Sequence, residues 1–295
     1  MNILFGVGKQ NIADKVMNLS SDTIKASLLT MAVATGKVAL ISSSTTASPI
    51  AITTSAAHGY VPGDIIVVGG HATNTAANGT WQAGAGTTGS TLNLTTRLDG
   101  NNSTGNGVGG ATGWCVDITT AAVIGDLGGN GGSNGNGADI SLTGVTVGAF
   151  GILNASSATW TSLSATKSYA VALYDSTASN DLIAWIDGNQ QVYCATQAAA
   201  SATAVALNRL SNAVANNTTA VFSDGSSAVL SAQANVGDTS FTTTALAAIV
   251  HRQATADVPT YNTVVGSTAG LPFTPGAGSS MTVTWDTGAN KVFQI

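Results

Sequence analysis

Charged residues are scarce in this sequence. Only 9 Lys and Arg and 14 acidic residues occur among 295 positions, and every acidic residue is aspartate. Lys9, Lys15, Lys25 and Lys37 are spread apart, whereas binding to a phosphate backbone requires several basic groups on one face. The composition therefore argues against binding to nucleic acid.

Long apolar segments and cysteines are also few. The longest apolar stretches, such as 28–34, are far shorter than the roughly 20 residues that span a bilayer, so no membrane insertion is predicted. Residues 1–9 do not show the pattern of a signal peptide, and we expect no Sec export. Cys115 and Cys194 are too few for a disulfide framework; we expect buried free thiols, with their pairing left open.

The absence of glutamate also bears on catalysis. Paired-carboxylate chemistry would need two aspartates, one of them with a raised pKa in a cleft. Asp175, Asp187 and Asp286 each end a predicted strand, where aspartate usually caps a turn. The sequence therefore predicts no catalytic residues, no cofactor and no enzymatic activity.

Three short segments resemble sequence motifs of known functional sites, but they lack residues or neighbouring structure that those sites require. Gly6–Gln10 resembles a phosphate-binding loop, but Ile3 and Gln10 stand where glycine and a hydroxyl residue are needed. Gly131–Gly135 fits the nucleophile-elbow pattern inside a Gly/Asn tract rather than between a strand and a helix. Gly135–Asp139 resembles one copy of a calcium-binding repeat, and such repeats bind ions only when several copies stack. We interpret all three as structural.

Histidine offers one candidate metal cluster. His58, His71 and Asp64 lie close together in the sequence on predicted turns. We expect His58 to cap a turn, and we predict no metal site.

The most abundant residues in the sequence are small and neutral. Gly, Ala, Ser, Thr and Asn supply more than half of the chain, and 44% of residues are hydrophobic. Short neutral side chains can lie against other protein with little repulsion and little loss of side-chain entropy. The composition therefore indicates an assembly component, with a dimer or trimer expected.

The local patterns predict an all-β fold. Short β-branched or aromatic runs are bounded by Gly, Asn, Ser or Pro. The pairs Asn78-Gly79, Asn106-Gly107, Asn130-Gly131 and Asn136-Gly137 supply hairpin turns. The predicted strands are Thr23–Leu29, Val38–Ile41, Ile50–Thr54, Asp64–Val68, Leu92–Thr95, Trp114–Ile118, Tyr169–Tyr174, Leu182–Ile186 and Met281–Trp285. Helices are predicted only at Asn11–Asn18 and Ala200–Val214.

Differences in amino-acid composition along the chain predict a β-sandwich core with two smaller β-rich insertions. Four of the five tryptophans lie in the predicted core. The second insertion contains the longer predicted helix. The predicted parts are an N-terminal arm (1–13), a discontinuous core (14–43, 114–191 and 269–295), a first insertion (44–113) and a second insertion (192–268).

The core segments resemble a family of small bacteriophage virion proteins. Asn18–Leu29 (NLSSDTIKASLL) is similar to the opening of that family. Tyr169–Asp175 (YAVALYD) with Leu182–Asp187 (LIAWID) resembles its central hairpin, and Met281–Asp286 (MTVTWD) resembles its closing strand. These matches cover about a hundred residues and occur in the same order.

The first insertion carries a second resemblance. His58–Tyr60, Pro62–Asp64 and Ala77–Trp81 look like a small β module that recurs in phage fibres and other virion surface proteins. Exposed rings on such modules can stack on sugars, and Trp81 is the ring we expect to be most accessible to a host surface saccharide. The other candidate rings are Trp114, Trp160, Tyr169, Tyr174, Trp185 and Trp285, which we expect in the core.

The resemblances imply a virion structural protein. We expect a capsid decoration (cement) or head-fibre protein that binds the outside of the assembled head, with the major capsid protein or other virion proteins as partners. The alternative is a tail-fibre, neck or baseplate-associated receptor-binding protein. Both place the protein in the virion.

Overall fold

The computed structural model describes most of the chain, and the described part is almost entirely β-structure, so the predicted all-β class is confirmed. The described residues are 2–97, 100–147, 152–177, 179–187, 189–207, 210, 214, 216–222, 227–235, 237–250, 255–259, 264–265, 271–283, 285 and 293–294.

Twenty-three strands, one α-helix and two short 3-10 helices lie in these residues. The strands β1 to β23 are, in order, Asn2–Leu4, Ile24–Leu29, Val38–Ser44, Ala51–Thr54, Ile65–Gly69, Gly79–Ala83, Thr91–Thr95, Trp114–Asp117, Ile140–Ser141, Thr146–Val147, Ile152–Asn154, Ala158–Trp160, Ala170–Asp175, Asp181–Ile186, Asn189–Tyr193, Ala204–Ala206, Thr219–Phe222, Ser227–Val229, Ser240–Thr242, Thr255–Pro259, Val264–Val265, Met281–Val283 and Phe293–Gln294. The helix α1 is Gly6–Ala13, and the 3-10 helices are Thr75–Ala77 and Ile124–Leu127.

Each predicted strand overlaps an observed one. The nine are β2, β3, β4, β5, β7, β8, β13, β14 and β22. Three of the predicted Asn-Gly turns place glycine at positive φ: Gly79 at 139°, Gly131 at 76° and Gly137 at 83°.

The chain divides into two compact units. Unit 1 contains residues 1–38, 118–188 and 261–295, and unit 2 contains residues 39–117 and 189–260. Both predicted insertions therefore contribute to the same unit, whereas the sequence suggested two separate modules.

Unit 1 is a β-sandwich. One layer is a five-stranded antiparallel sheet in the order β1-β14-β13-β2-β9. The facing strands form two three-stranded sheets, β10-β11-β23 and β12-β22-β21. Residues from both layers share one hydrophobic cluster, which includes Leu28, Leu173, Trp160 and Met281. Burial of this cluster provides the main driving force for the fold of this unit.

The N-terminal residues form part of the sandwich rather than the predicted arm. Strand β1 pairs with β14, with Ile3 opposite Trp185, and Phe5 is fully buried. Helix α1 then packs on β14 through Gly8, where a Cβ atom would stand 2.8 Å from the carbonyl oxygens of Leu182 and Ile183. The predicted helix Asn11–Asn18 was thus placed too late, because this close approach seats an earlier segment on the sheet.

Residues 39–117 form a closed six-stranded barrel in the order β3-β4-β7-β6-β5-β8. The amide of Ile41 in β3 donates to the carbonyl of Gly113, next to β8, at 3.0 Å and closes the ring. Alternate residues along the strands point inward and form one cluster, which includes Ile52, Ile66, Leu92 and Leu94.

Residues 189–260, here called the repeat module, form a second ring of strands. A four-stranded sheet, β15-β20-β17-β18, is joined to the pair β16-β19 by bridges at both ends. The bridges are Cys194 to Leu207 and Leu230 to Thr243. Hydrogen bonding therefore runs continuously around six strands.

The predicted helix Ala200–Val214 is wrong where the structure describes it. Ala204–Ala206 is β16, and Leu207 and Val214 form β-bridges. Val205 and Leu207 are both buried and two residues apart, which is the spacing of a strand. Leu210 and Val214 are also buried, so the apolar spacing in the sequence resembles a helical stripe.

Candidate functional site

The candidate metal residues do not converge on a common point. The Nδ1 atom of His58 accepts a hydrogen bond from the amide of Tyr60 at 2.9 Å, as expected for a residue that caps a turn. Asp64 accepts from the amide of Val61 at 2.8 Å, and His71 lies against Ser44. Within the described residues, no group of three or more His, Cys, Asp or Glu side chains could hold a metal ion.

A Ser–His pair in the barrel has the distance of a nucleophile and its base. The Nε2 atom of His71 is 2.8 Å from the Ser44 hydroxyl, and the Asn74 amide donates to the same hydroxyl at 3.1 Å. Burial lowers the pKa of His71 and so favours its neutral imidazole, which shares one hydrogen bond with the Ser44 hydroxyl. Ser44 is 4% exposed and His71 1%, so a substrate cannot reach either side chain. The pair ties β3 to the segment before β6 and serves the fold.

A second polar cluster lies in unit 1, and the sequence patterns did not indicate it. The hydroxyl of Tyr174 donates to Asp139 at 2.9 Å, and it lies 3.3 Å from the side-chain oxygen of Asn130. Burial raises the pKa of Asp139, opposed in part by Ser27, Tyr174, Asn130 and Lys25. One carboxylate with a nearby lysine is a poor cation site, and the cluster ties the Gly/Asn tract to β13.

The three motif segments have structural roles. Gly6–Gln10 begins helix α1, which lies on the sheet. Within Gly131–Gly135, the Asn134 side chain is fully buried and exchanges hydrogen bonds with the backbone of Val33 at 2.8 and 2.9 Å. Asp139, at the end of the third motif, belongs to the cluster described above.

Of the aspartates at strand ends, Asp175 acts as a local cap. Asp175 accepts from the amide of Thr177 at 2.8 Å, and Asp187 accepts from the Trp185 indole at 3.2 Å. Asp286 lies outside the described residues.

Both cysteines are free and buried, which confirms the expected thiols and answers the question of their pairing. Cys115 lies in the barrel and Cys194 in the repeat module. Burial raises the pKa of the Cys115 thiol, so it is held in the unreactive protonated form.

The predicted exposed ring is not exposed. Trp81 is 4% exposed, and its indole nitrogen donates to the Ala77 carbonyl at 2.7 Å. Its ring fills the barrel interior because the alternation along β6 directs it inward. The other candidate rings are buried except Tyr169, which is half-buried with the Lys167 ammonium 5.3 Å from its centre. The described residues thus offer no flat aromatic platform for sugars.

Scarcity of charge is most pronounced on the barrel. Its four charged residues are Asp64, Arg97, Asp99 and Asp117. Asp64 and Asp117 are buried, and Arg97 is half-buried. The described barrel surface is therefore formed mainly by neutral Thr, Ser, Ala, Gly and Asn side chains.

No helix among the described residues is long and apolar enough to cross a membrane. Comparison with known proteins found no matching family model, no matching curated protein and no matching solved structure.

Proposed function

We propose that the protein is a structural component of a bacteriophage virion, a capsid decoration or head-fibre protein that binds the outside of the assembled head. The observation that carries this proposal is the nearly uncharged surface of the barrel, where two of four charged side chains are buried. Covering such a surface with protein avoids the desolvation of ions and immobilises few long side chains.

Strand edges in unit 1 offer a second means of docking. The five-stranded sheet ends at β1 on one side and at β9 on the other. Edge strands can pair with a strand from another chain through backbone hydrogen bonds. The barrel is closed, so strand addition is assigned to the sandwich. On a symmetric shell, many such weak contacts act together.

Copy number in the particle tests the location. Purified particles of the phage or prophage that encodes the chain would be quantified by mass spectrometry against the major capsid protein. Decoration requires on the order of hundreds of copies, whereas about three, six or twelve copies would favour the tail-fibre, neck or baseplate alternative. Absence of the chain from the particles would overturn the proposal.

The nature of the contact can be tested separately. Purified protein would be added to heads that lack it, and binding measured from about 50 mM to about 500 mM NaCl. A contact made by neutral side chains should change little over this range. Strong weakening by salt would contradict the proposed surface. The proposal also assigns no catalysis, so release of reducing ends from host polysaccharide by the purified protein would contradict it.

A further inference from the structure

The two halves of the repeat module have the same strand pairing. Residues 189–224 are called repeat 1 and residues 225–260 repeat 2; a shift of 36 residues converts one numbering to the other. In repeat 1, Val192 pairs with Ala256 of repeat 2. Under the shift, Val192 corresponds to Ala228 and Ala256 corresponds to Ala220. Ala228 and Ala220 are also paired with each other. The same relation holds along both strand pairs.

The bridges outside the strands obey the same shift. Under the shift, the bridge Cys194–Leu207 within repeat 1 becomes the bridge Leu230–Thr243 within repeat 2. The bridge Ala198–Val250, which joins the two repeats, becomes the bridge Ala234–Val214, which also joins them.

Irregular backbone bonds repeat as well. The amide of Leu210 donates to the carbonyl of Asp238 at 2.9 Å, and the amide of Leu246 donates to the carbonyl of Ala202 at 3.0 Å. Each of these bonds becomes the other under the shift. Such reciprocity is the property of a two-fold interface between identical partners, in which residue i contacts j and j contacts i.

The sequences retain a weak trace of this relation. Seven of the 36 aligned positions are identical, and four of the seven are buried in repeat 1: Ala198, Leu210, Val214 and Ala220. The seven pairs are Gln197/Gln233, Ala198/Ala234, Thr203/Thr239, Leu210/Leu246, Val214/Val250, Thr219/Thr255 and Ala220/Ala256.

The repeats differ where symmetry would prevent good packing. Val205 of β16 lies directly opposite Phe241 of β19, and these two positions are equivalent under the shift. Both are fully buried. The two-fold axis that relates the repeats therefore passes between these two side chains. Two valines there would leave a void and two phenylalanines would overfill the space, whereas one of each fills it.

We infer that residues 189–260 are two copies of one dimerising unit joined in a single chain. Each 36-residue repeat presents a self-complementary interaction surface, and the partner that fits it is a second copy of the repeat. In the intact chain that partner is the neighbouring repeat. A chain with one repeat must take the partner from a second copy of the chain. The inference rests on hydrogen-bond register and does not depend on the proposed virion role.

The axis position provides the first test, in the full-length chain. Val205→Phe should lower the Tm by about 3–10 °C through overpacking, and Phe241→Val by about 5–10 °C through a cavity. The combined exchange V205F/F241V places the same two side chains in equivalent surroundings. We expect its Tm to return to within about 3 °C of the parent chain.

Leu173 and Ala184 supply a matched control. They are also buried and directly opposed, but in the sandwich sheet, where no such symmetry relates them. The exchange L173A/A184L should remain as unstable as its worse single substitution. If V205F/F241V is also no better than its worse single substitution, the two repeats are not equivalent and the inference fails.

Removal of repeat 2 provides the second test. In a chain with residues 225–260 deleted, repeat 1 should pair with the same repeat of another chain. Light scattering after size exclusion should then give twice as many chains per particle as the full-length protein. A folded, soluble variant with the parent stoichiometry would overturn the inference. If the shortened chain does not stay soluble, the axis exchange alone decides the question.

Discussion

The ring of His58 stacks on the ring of Tyr60, with centroids 4.2 Å apart and planes inclined by 20°. This contact holds the Tyr60 hydroxyl where the barrel closes. The hydroxyl donates to the carbonyl of Cys115 in β8 at 3.0 Å, and the backbone of Ala39 in β3 bonds to it as well. One side chain therefore joins the two strands that complete the ring.

Tyr60→Phe should weaken the barrel without changing its shape. The substitution keeps the stacked ring but leaves buried backbone groups without their partner, which costs about 1–3 kcal/mol of unfolding free energy. Urea unfolding would measure the loss. Tyr169→Phe serves as the control, because its side chain is only half-buried and belongs to unit 1, so stability should change by less than at Tyr60. Equal effects at the two sites would contradict the assigned role of Tyr60.

Asp139 should make stability depend on pH in a direction opposite to that of a salt-bridged carboxylate. Burial raises its pKa in the folded protein, so its stabilising contribution is complete below the unfolded pKa and is lost as pH rises through the folded pKa. Asp139→Asn removes this titration and can still accept the hydrogen bond from Tyr174. From about pH 4 to pH 7, the parent chain should lose stability relative to this variant.

Thermal unfolding of both proteins across that pH range would provide the measurement. The exposed Asp14→Asn is the control, since it leaves the buried carboxylate in place. A constant difference between the parent chain and D139N at all pH values would show that Asp139 does not titrate as inferred.

The strands of the sandwich and barrel were predictable because their sequences alternate sharply between β-branched or aromatic runs and turn residues. Val38–Ile41 and Leu92–Thr95 show this pattern and lie within β3 and β7. The repeat module lacks it. Alanine is compatible with helices and strands alike, so the segment around Val205 was interpreted as a helix, and only pairing with Phe241 establishes the strand. The shared register of residues 189–224 and 225–260 has little counterpart in the sequence because most aligned positions differ.

Side-chain sites were less predictable than strands. Nothing in the spacing of Asp139 and Tyr174 indicates that they meet, because contacts between distant segments depend on the register of β13 with its neighbours. The sequence predicts an exposed Trp81 because this ring lies in the first insertion and not in the predicted sandwich core. The barrel has its own hydrophobic core, and Trp81 is part of that core.

Gly8→Ala tests whether the N-terminal helix is seated on the sheet. A Cβ atom there would meet two backbone carbonyl oxygens at 2.8 Å, so the helix must shift and stability should fall by about 1–3 kcal/mol. Gly125→Ala is the matched control, because nothing lies within 4 Å of a Cβ at that position. The control should be neutral or stabilising by up to about 1 kcal/mol. If G8A were as stable as the parent chain, residues 6–13 would not pack as described.

Tryptophan fluorescence should report that all five indole rings are shielded. Trp81, Trp114, Trp160, Trp185 and Trp285 are each at most 4% exposed. The native protein should therefore emit at short wavelength and resist acrylamide, and quenching should rise severalfold on unfolding in guanidinium.

The same measurement addresses sugar binding through tryptophan stacking. A saccharide that stacks on an indole excludes water from an exposed ring and so shifts its emission. Because these rings already fill protein cores, addition of host-derived oligosaccharides should leave the emission unchanged. A saturable shift with sugar would mean that at least one indole is accessible, contrary to the packing described. Trp81→Phe and Trp114→Phe, combined in one variant, would then show whether the barrel is responsible, since these are the two tryptophans of residues 39–117.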